Sequence, residues 1–228
     1  MKIKFGALVT DGRGKIGGHV ASKNRGGAYL RTKVTPVNPN TSYQADVRNR
    51  LTTYAQGWRS LTAAQRAAWN AAVSNFQKTD IFGDLKNPSG SNLYVRLNSN
   101  IEEGAGTAIT TPPLPSSVTG PETITLTAAA GVAAISLAWT GGAIAADTAW
   151  VVRATPQVSV GKSFVKNLYR NLVVLPAADT TPTSILTEYN ARFGTLVAGQ
   201  KIFVEVVAIN LLTGLKSTAL STSVVVSA

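Results

Sequence analysis

Residues Gly12–Trp69, GRGKIGGHVASKNRGGAYLRTKVTPVNPNTSYQADVRNRLTTYAQGWRSLTAAQRAAW, carry the signals from which the fold is read. Lys15–Ser22 and Ala28–Val34 hold spaced apolar residues (Ile16, Val20, Tyr29, Leu30, Val34), and Asn24-Arg25-Gly26-Gly27 lies between them. Glycine admits the left-handed backbone that tight turns need, so these segments predict a short antiparallel meander. Residues 2–9 join it upstream through the turn signal Asp11-Gly12. So small a sheet cannot bury a face alone and must pack on the helices behind it or on a neighbouring chain.

Thr35-Pro36-Val37-Asn38-Pro39-Asn40 follows, and each proline forces the residue before it into extended geometry, giving a stiff connector. Thr41 with Gln44, and Thr62 with Gln65, are two capping boxes that open two helices. In the first, Tyr43, Val47, Leu51, Tyr54 and Trp58 fall three or four residues apart, a helical stripe. In the second, alanines permit close approach and Trp69, Val73 and Phe76 supply bulk. The pair reads as an αα-hairpin with Tyr43, Tyr54, Trp58, Trp69 and Phe76 as its core. A third helix is expected over Ser91–Glu103, with Leu93, Tyr94, Leu97 and Ile101 inward.

After the Thr-, Pro- and Gly-rich stretch Gly104–Gly120 the period changes from helical to alternating. Strands are predicted at Glu122–Thr127, Val132–Thr140, Thr148–Ala154, Leu168–Leu175, Lys201–Asn210 and Thr218–Val226, with a helical insertion at Ser184–Phe193. Short strands between Gly, Pro and Asn turns argue an antiparallel β-sandwich. The fold class is therefore α+β and multidomain. Residues 1–40 form a basic β-meander or docking arm, 41–103 a helical domain, 104–120 a linker and 121–228 a sandwich expected to fold by itself.

Charge is unevenly distributed. Residues 1–78 contain thirteen Lys/Arg against Asp11 and Asp46, which accounts for the whole net charge of +11, because nine cations and nine carboxylates cancel in the remainder. This is a local field that asks for an anionic partner: nucleic acid, an acidic protein or an anionic cell surface. Lys15, Lys23, Arg25, Arg31, Lys33, Arg48, Arg50 and Arg59 form the comb expected to bind that partner. They could track a phosphate backbone, but the aromatics read as core-packing residues rather than as platforms for base stacking. Docking on acidic subunits is therefore preferred, with sequence-nonspecific DNA binding as the alternative.

Signals for chemistry are weak. Gly14-Lys15-Ile16-Gly17-Gly18 lacks the spacing of a phosphate loop and the strand-to-helix context of a dinucleotide fingerprint, so its glycines read as turn residues. His19 is the only histidine and has no partner at useful spacing; a strand position suits it. Asp80, Asp84, Glu102 and Glu103 read as a solvated rim or as salt-bridge partners of the basic third, rather than as an acid/base pair. There is no cysteine, hence no disulfide framework or thiolate metal site. No catalytic residue, metal or cofactor is expected.

Two resemblances add to this reading. Ile135–Thr140 (ISLAWT) and Leu196–Ala208 (LVAGQKIFVEVVA) resemble the second strand and a later strand of fibronectin type III domains. Ile202 stands where that family has its corner tyrosine, and Lys162–Phe193 departs from its pattern. Over most of the chain, the blocks at Gly14–Arg48, Gly57–Asn70 (GWRSLTAAQRAAWN) and Ile81–Asn98 (IFGDLKNPSGSNLYVRLN) are similar to small tailed-phage virion proteins. The second resemblance implies a non-enzymatic virion structural protein, capsid- or tail-associated and present in several copies. Its expected partners are other virion proteins and copies of itself, with contact to a host-surface glycan a weaker third reading. The N-terminus lacks an apolar run of signal-peptide length, and no run approaches a membrane span. The expected location is accordingly the virion, after synthesis in the host cytoplasm.

Overall fold

A computed structural model describes residues 1–6, 11–24 and 26–228. The chain has mixed α+β architecture. It begins with β1 (Gly14–Ile16), β2 (His19–Asn24) and β3 (Gly27–Thr32), an antiparallel sheet in that order. Lys15–Ser22 is not the single strand expected from its apolar spacing. The chain reverses at Gly17-Gly18, where Gly17 has φ +57°, so Ile16 pairs with His19. Of the strand expected at residues 2–9, Met1–Ile3 run along the free edge of β3. Leu30 N–H donates to Met1 O (2.8 Å) and Ile3 N–H to Ala28 O (3.0 Å). Residues 7–9 lie outside the described residues.

Residues 31–43 are exposed without interruption and lead into α1 (Ser42–Ser60). Thr41 caps α1 by accepting from Gln44 N–H, but the reciprocal half of the expected box is not made. Thr62 and Gln65 do form both halves at the start of α2 (Ala63–Ala72), which runs into a short 3-10 turn over Val73–Phe76. Next come two paired two-residue strands, β4 (Lys78–Thr79) and β5 (Leu85–Lys86), that the sequence reading lacks. The Asp80 carboxylate organises their turn by accepting from the backbone N–H of Phe82 (2.8 Å) and Asp84 (3.1 Å).

The centre of the helical part is α3 (Gly90–Glu103). Instead of a simple hairpin with a third helix beside it, α1 and α2 each pack on α3. Tyr94 of α3 is the hub, with Tyr54, Trp58 and Trp69 ring centroids 6.3, 5.8 and 5.4 Å away. A Cβ at Gly57 would stand 2.9 Å from Tyr94 Oη, which explains a glycine inside α1. The expected stripe of α1 is only half used. Tyr54 is buried, whereas Tyr43 (51% exposed), Val47 (47%) and Leu51 (57%) face solvent.

Seven strands make the C-terminal part. β6 (Thr123–Ala129), β7 (Ala134–Thr140) and β10 (Thr183–Ser184) form one antiparallel sheet, ordered β10-β7-β6. β8 (Thr148–Ala154), β9 (Arg170–Leu175), β11 (Lys201–Asn210) and β12 (Leu220–Val225) form another, ordered β12-β11-β8-β9. Leu126, Ile135, Leu137 and Trp139 of the first sheet share one core with Trp150, Val152, Ile202, Val204 and Val206 of the second. α4 (Leu186–Phe193) seals one side with Tyr189, whose hydroxyl donates to Thr155 O (3.0 Å).

The central strands β8 and β11 of the four-stranded sheet are buried on both faces toward one end. Ala149, Val151, Val207 and Ile209 alternate with the core residues yet are buried too, because α3 packs against β11. The stretch 104–120, expected to be a linker, is an ordered strap. Trp69 Nε1 donates to Thr110 O (2.8 Å), and the buried Asn98 side chain exchanges hydrogen bonds with the backbone of Ile109 at 2.7 and 3.2 Å. Gly104 lies against Leu211 and Ala149, and Val118 joins the two-sheet core.

Candidate functional site

The comb divides into groups with different fates. On the N-terminal sheet, Lys15 is opposite Val20 and Val20 opposite Arg31. Directly opposed residues share a face, so Lys15 and Arg31 stand in one cross-strand row, and Lys33, two residues on, continues on that side. Lys33 N–H donates to Gly18 O, which keeps the ladder going to that point. Lys23 is on the opposite face, 3.7 Å from Asp11. Arg25 lies outside the described residues.

The helical members do other work. Arg48 closes a fork on the connector, its Nη2 donating to Asn38 Oδ1 (2.6 Å) and its Nη1 to Asn40 Oδ1 (3.2 Å). Arg50 points elsewhere and sets its Nε 3.3 Å from Glu102 Oε1, in ion-pair contact without hydrogen-bond alignment. Burial and the neighbouring Glu102 push the phenol of Tyr54 up from its ordinary value. Arg59 is exposed in the last turn of α1, where a cation complements the helix dipole. The comb is thus not one surface. Lys15, Arg31 and Lys33 come together, Arg59 stands apart, and Arg48 and Arg50 are internal fasteners.

The four carboxylates are salt-bridge partners, three of them for the basic third. Lys2 Nζ is 3.3 Å from Asp80, Lys4 Nζ is 3.1 Å from Asp84, and Arg50 meets Glu102. Burial alone would raise the Asp80 pKa, but the two backbone donors and Lys2 hold it below its ordinary value. These ion pairs hold the first residues, and the sheet edge they extend, against the β4–β5 turn. Exposed apolar side chains accompany the cations along the chain: Ile16, on the sheet face opposite Lys15, then Val34 and Val37 (87% exposed), and Tyr43, Val47 and Leu51 along α1. His19 begins β2, as expected for a strand residue, and is exposed.

Sequence reasoning missed a second cationic group. Lys166, Arg170 and Arg192 rim a cleft of about 840 Å³ between the start of α1 and the β9 side of the four-stranded sheet. Tyr43 and Tyr169 also line it, and Arg153, Asn171 and Glu205 form its floor. Arg153 is spent on that floor: Nε donates to Asn171 (3.1 Å), Nη1 to Glu205 (3.1 Å) and Nη2 to Glu103 (3.0 Å). Glu103 also accepts from Asn171 (3.0 Å) and from Lys216. Burial would raise its pKa, but Lys216, Asn171 and Arg153 together lower it to about 2. The one signal in the sequence was that Lys162–Phe193, which contributes all three rim cations, departs from the fibronectin type III pattern.

Among the described residues, no group of three or more His, Cys, Asp or Glu could hold a metal ion. No helix among them is long and apolar enough to cross a membrane. No family model matches the chain, and no curated protein matches it. Among solved structures, pectate lyase PelI from Erwinia chrysanthemi in complex with tetragalacturonic acid overlaps 44% of this chain and 27% of its own, at 16% identity and a TM-score of 0.27. The overlap spans about a quarter of that enzyme and carries no argument about this chain.

Proposed function

We propose that the chain is a non-enzymatic structural protein of a bacteriophage particle, capsid- or tail-associated, present in several copies and docked through its basic N-terminal region. The observation that carries this reading is the run of exposed apolar side chains from Val34 to Leu51. Val34, Val37, Tyr43, Val47 and Leu51 are exposed within one stretch of chain that leads on from Arg31 and Lys33, and Lys15, Arg31 and Lys33 have no carboxylate partners among the described residues. Apolar patches rimmed by charge mark contact surfaces, and the positive sign favours acidic neighbours over a free existence.

The C-terminal part is read as a fibronectin type III-like sandwich projecting from the docked region. Its division into three and four antiparallel strands around Trp139 and Trp150 supports that assignment. The sandwich serves as a spacer or contact module, and the virion is the proposed location. The test is mass spectrometry of purified particles made with full-length protein and with protein lacking residues 1–40. Incorporation should need the arm; normal incorporation without it would remove the docking role.

One observation favours DNA as a second reading. Tyr29 is on the same side of the sheet as Lys15 and Arg31, giving cations and an aromatic ring a common face. Binding to duplex DNA that persists near physiological salt, and is lost on replacing Arg31 and Lys33, would favour that reading.

A further inference from the structure

The cleft between α1 and the four-stranded sheet meets the docking segment at Tyr43 but has a composition of its own. Lys166, Arg170 and Arg192 form no ion pair among the described residues. Arg170 turns only Nη1 inward, onto the carbonyls of Asn167 and Tyr169, and keeps its other donors free. The floor is already neutralised, because the donors of Arg153 are taken by Glu103, Glu205 and Asn171. The rim therefore presents positive charge that nothing among the described residues answers, around a volume typical of ligand sites.

The rest of the lining narrows the ligand class. Glu205 uses one oxygen for Arg153, and its second accepts nothing among the described residues, so the floor offers an acceptor to an incoming hydroxyl. Burial and Glu205 raise the Tyr169 pKa, which keeps its hydroxyl protonated as a donor. Tyr43 is half exposed and adds a second ring. A ligand that satisfies this set carries anionic groups for the rim, hydroxyls for the floor and apolar ring faces for the tyrosines. A duplex phosphate backbone, with a charge about every 1.7 Å, would press its charge on Glu205 and bring few hydroxyl donors. An acidic peptide brings carboxylates and backbone N–H donors but offers the tyrosines few flat ring faces of its own next to each carboxylate.

We propose that this cleft binds an acidic saccharide, a short sugar chain carrying carboxylates, seated beside Tyr43 and Tyr169 with its carboxylates on Lys166, Arg170 and Arg192. The rings stack on the tyrosines, as sugar faces do on aromatic side chains, and arginine adds a forked contact to a carboxylate.

Titration of the full chain with a purified oligomannuronate, followed calorimetrically, tests this site. Saturable binding is expected, with a neutral cello-oligosaccharide of equal length not binding. Lys166→Gln, Arg170→Gln and Arg192→Gln should each weaken it about tenfold, or about 1.4 kcal/mol, while Arg31→Gln leaves it unchanged. All four positions are exposed, and near-UV circular dichroism verifies that each variant is folded. The proposal is overturned if oligomannuronate does not bind, if the rim variants bind as the parent does, or if the neutral sugar binds equally. It is also overturned if poly-L-glutamate or a short DNA duplex binds the same three residues more tightly, which would make the cleft a peptide socket or a nucleic-acid site.

Discussion

Glu103, the last residue of α3, and Arg153, on β8, meet at 3.0 Å across 50 residues of sequence. The contact joins the helical part to the sheet and stands beside the Lys216 ammonium and the Asn171 amide. It predicts how the fold responds to acid. The Glu103 carboxyl is lowered from 4.5 to about 2 on folding, so the folded state holds its proton less tightly than the unfolded chain. The stabilisation is complete above the unfolded value and is lost as pH falls from about 4.5 toward 2. A shift of that size amounts to about 3 kcal/mol. Urea unfolding between pH 7 and pH 3 should show a steep loss for the parent. Glu103→Gln should start lower and vary less over the same range; an equal slope in both would show that other carboxylates govern the acid limb.

The double burial of β8 and β11 at one end of the four-stranded sheet predicts that residues 117–228 do not behave as a free domain. Without α3, Ala149, Val151, Val207 and Ile209 would face water. Each large side chain among them is worth about 1.5–3 kcal/mol of burial. The fragment 117–228 should bind a hydrophobic dye and self-associate in ultracentrifugation, whereas 41–228 should stay folded. A monomeric 117–228 fragment with cooperative unfolding would show that the sheet tolerates the loss of its helix.

Trp69 offers a way to separate packing from hydrogen bonding. It is fully buried against Tyr94, and its indole N–H donates to Thr110 O on the strap. Trp69→Ala should cost about 3–5 kcal/mol through the cavity it leaves. Trp69→Phe keeps much of the ring but removes the donor, and should cost about 1–3 kcal/mol with the Thr110 carbonyl left unpaired. A Trp69→Phe loss near zero in chemical denaturation would mean that the strap bond contributes nothing, whereas equal losses for the two variants would put the whole cost on that bond and none on the ring's packing.

How far these features were legible in the sequence depends on what kind of partner each element has. The α3 set Leu93, Tyr94, Leu97 and Ile101 was read correctly, since all four residues are buried. The α1 stripe has the same periodicity, yet Tyr43, Val47 and Leu51 are exposed. Periodicity reports an amphipathic face, not what covers it. β4 and β5, with two residues each, have no period to detect and depend on the Asp80 carboxylate for their turn. The comb was legible as charge, but whether a given arginine faces outward depends on distant carboxylates and amides, as Arg50 with Glu102 shows. The cleft cations are brought together by the return of β9 and α4 along the sheet, a tertiary relationship absent from local pattern.

The last prediction concerns the connector and rests on Arg48. Its guanidinium spans Asn38 Oδ1 and Asn40 Oδ1 from the helix that the connector leads into. Asn40 has φ +48°, a left-handed conformation that asparagine tolerates better than most residues, and the fork holds it there. Lysine carries the same charge but presents a single ammonium on a flexible stem, so it cannot reproduce the planar fork. The side chain is exposed, so global stability should change little, by less than about 0.5 kcal/mol. The arm itself should loosen. Arg48→Lys should speed proteolytic cleavage between Val34 and Thr41 several-fold. Asn38→Ala with Asn40→Ala should do so at least as much, because it also removes the Asn38 Oδ1 that accepts from Asn40 N–H. Adding Arg48→Lys to that pair should change little further, since the fork is already gone. If the arm presents Lys33 and Val37 to a neighbour, its loosening should also weaken particle incorporation although the charge is conserved. Cleavage of Arg48→Lys at the parent rate would show that the prolines alone stiffen the connector and that the fork is incidental.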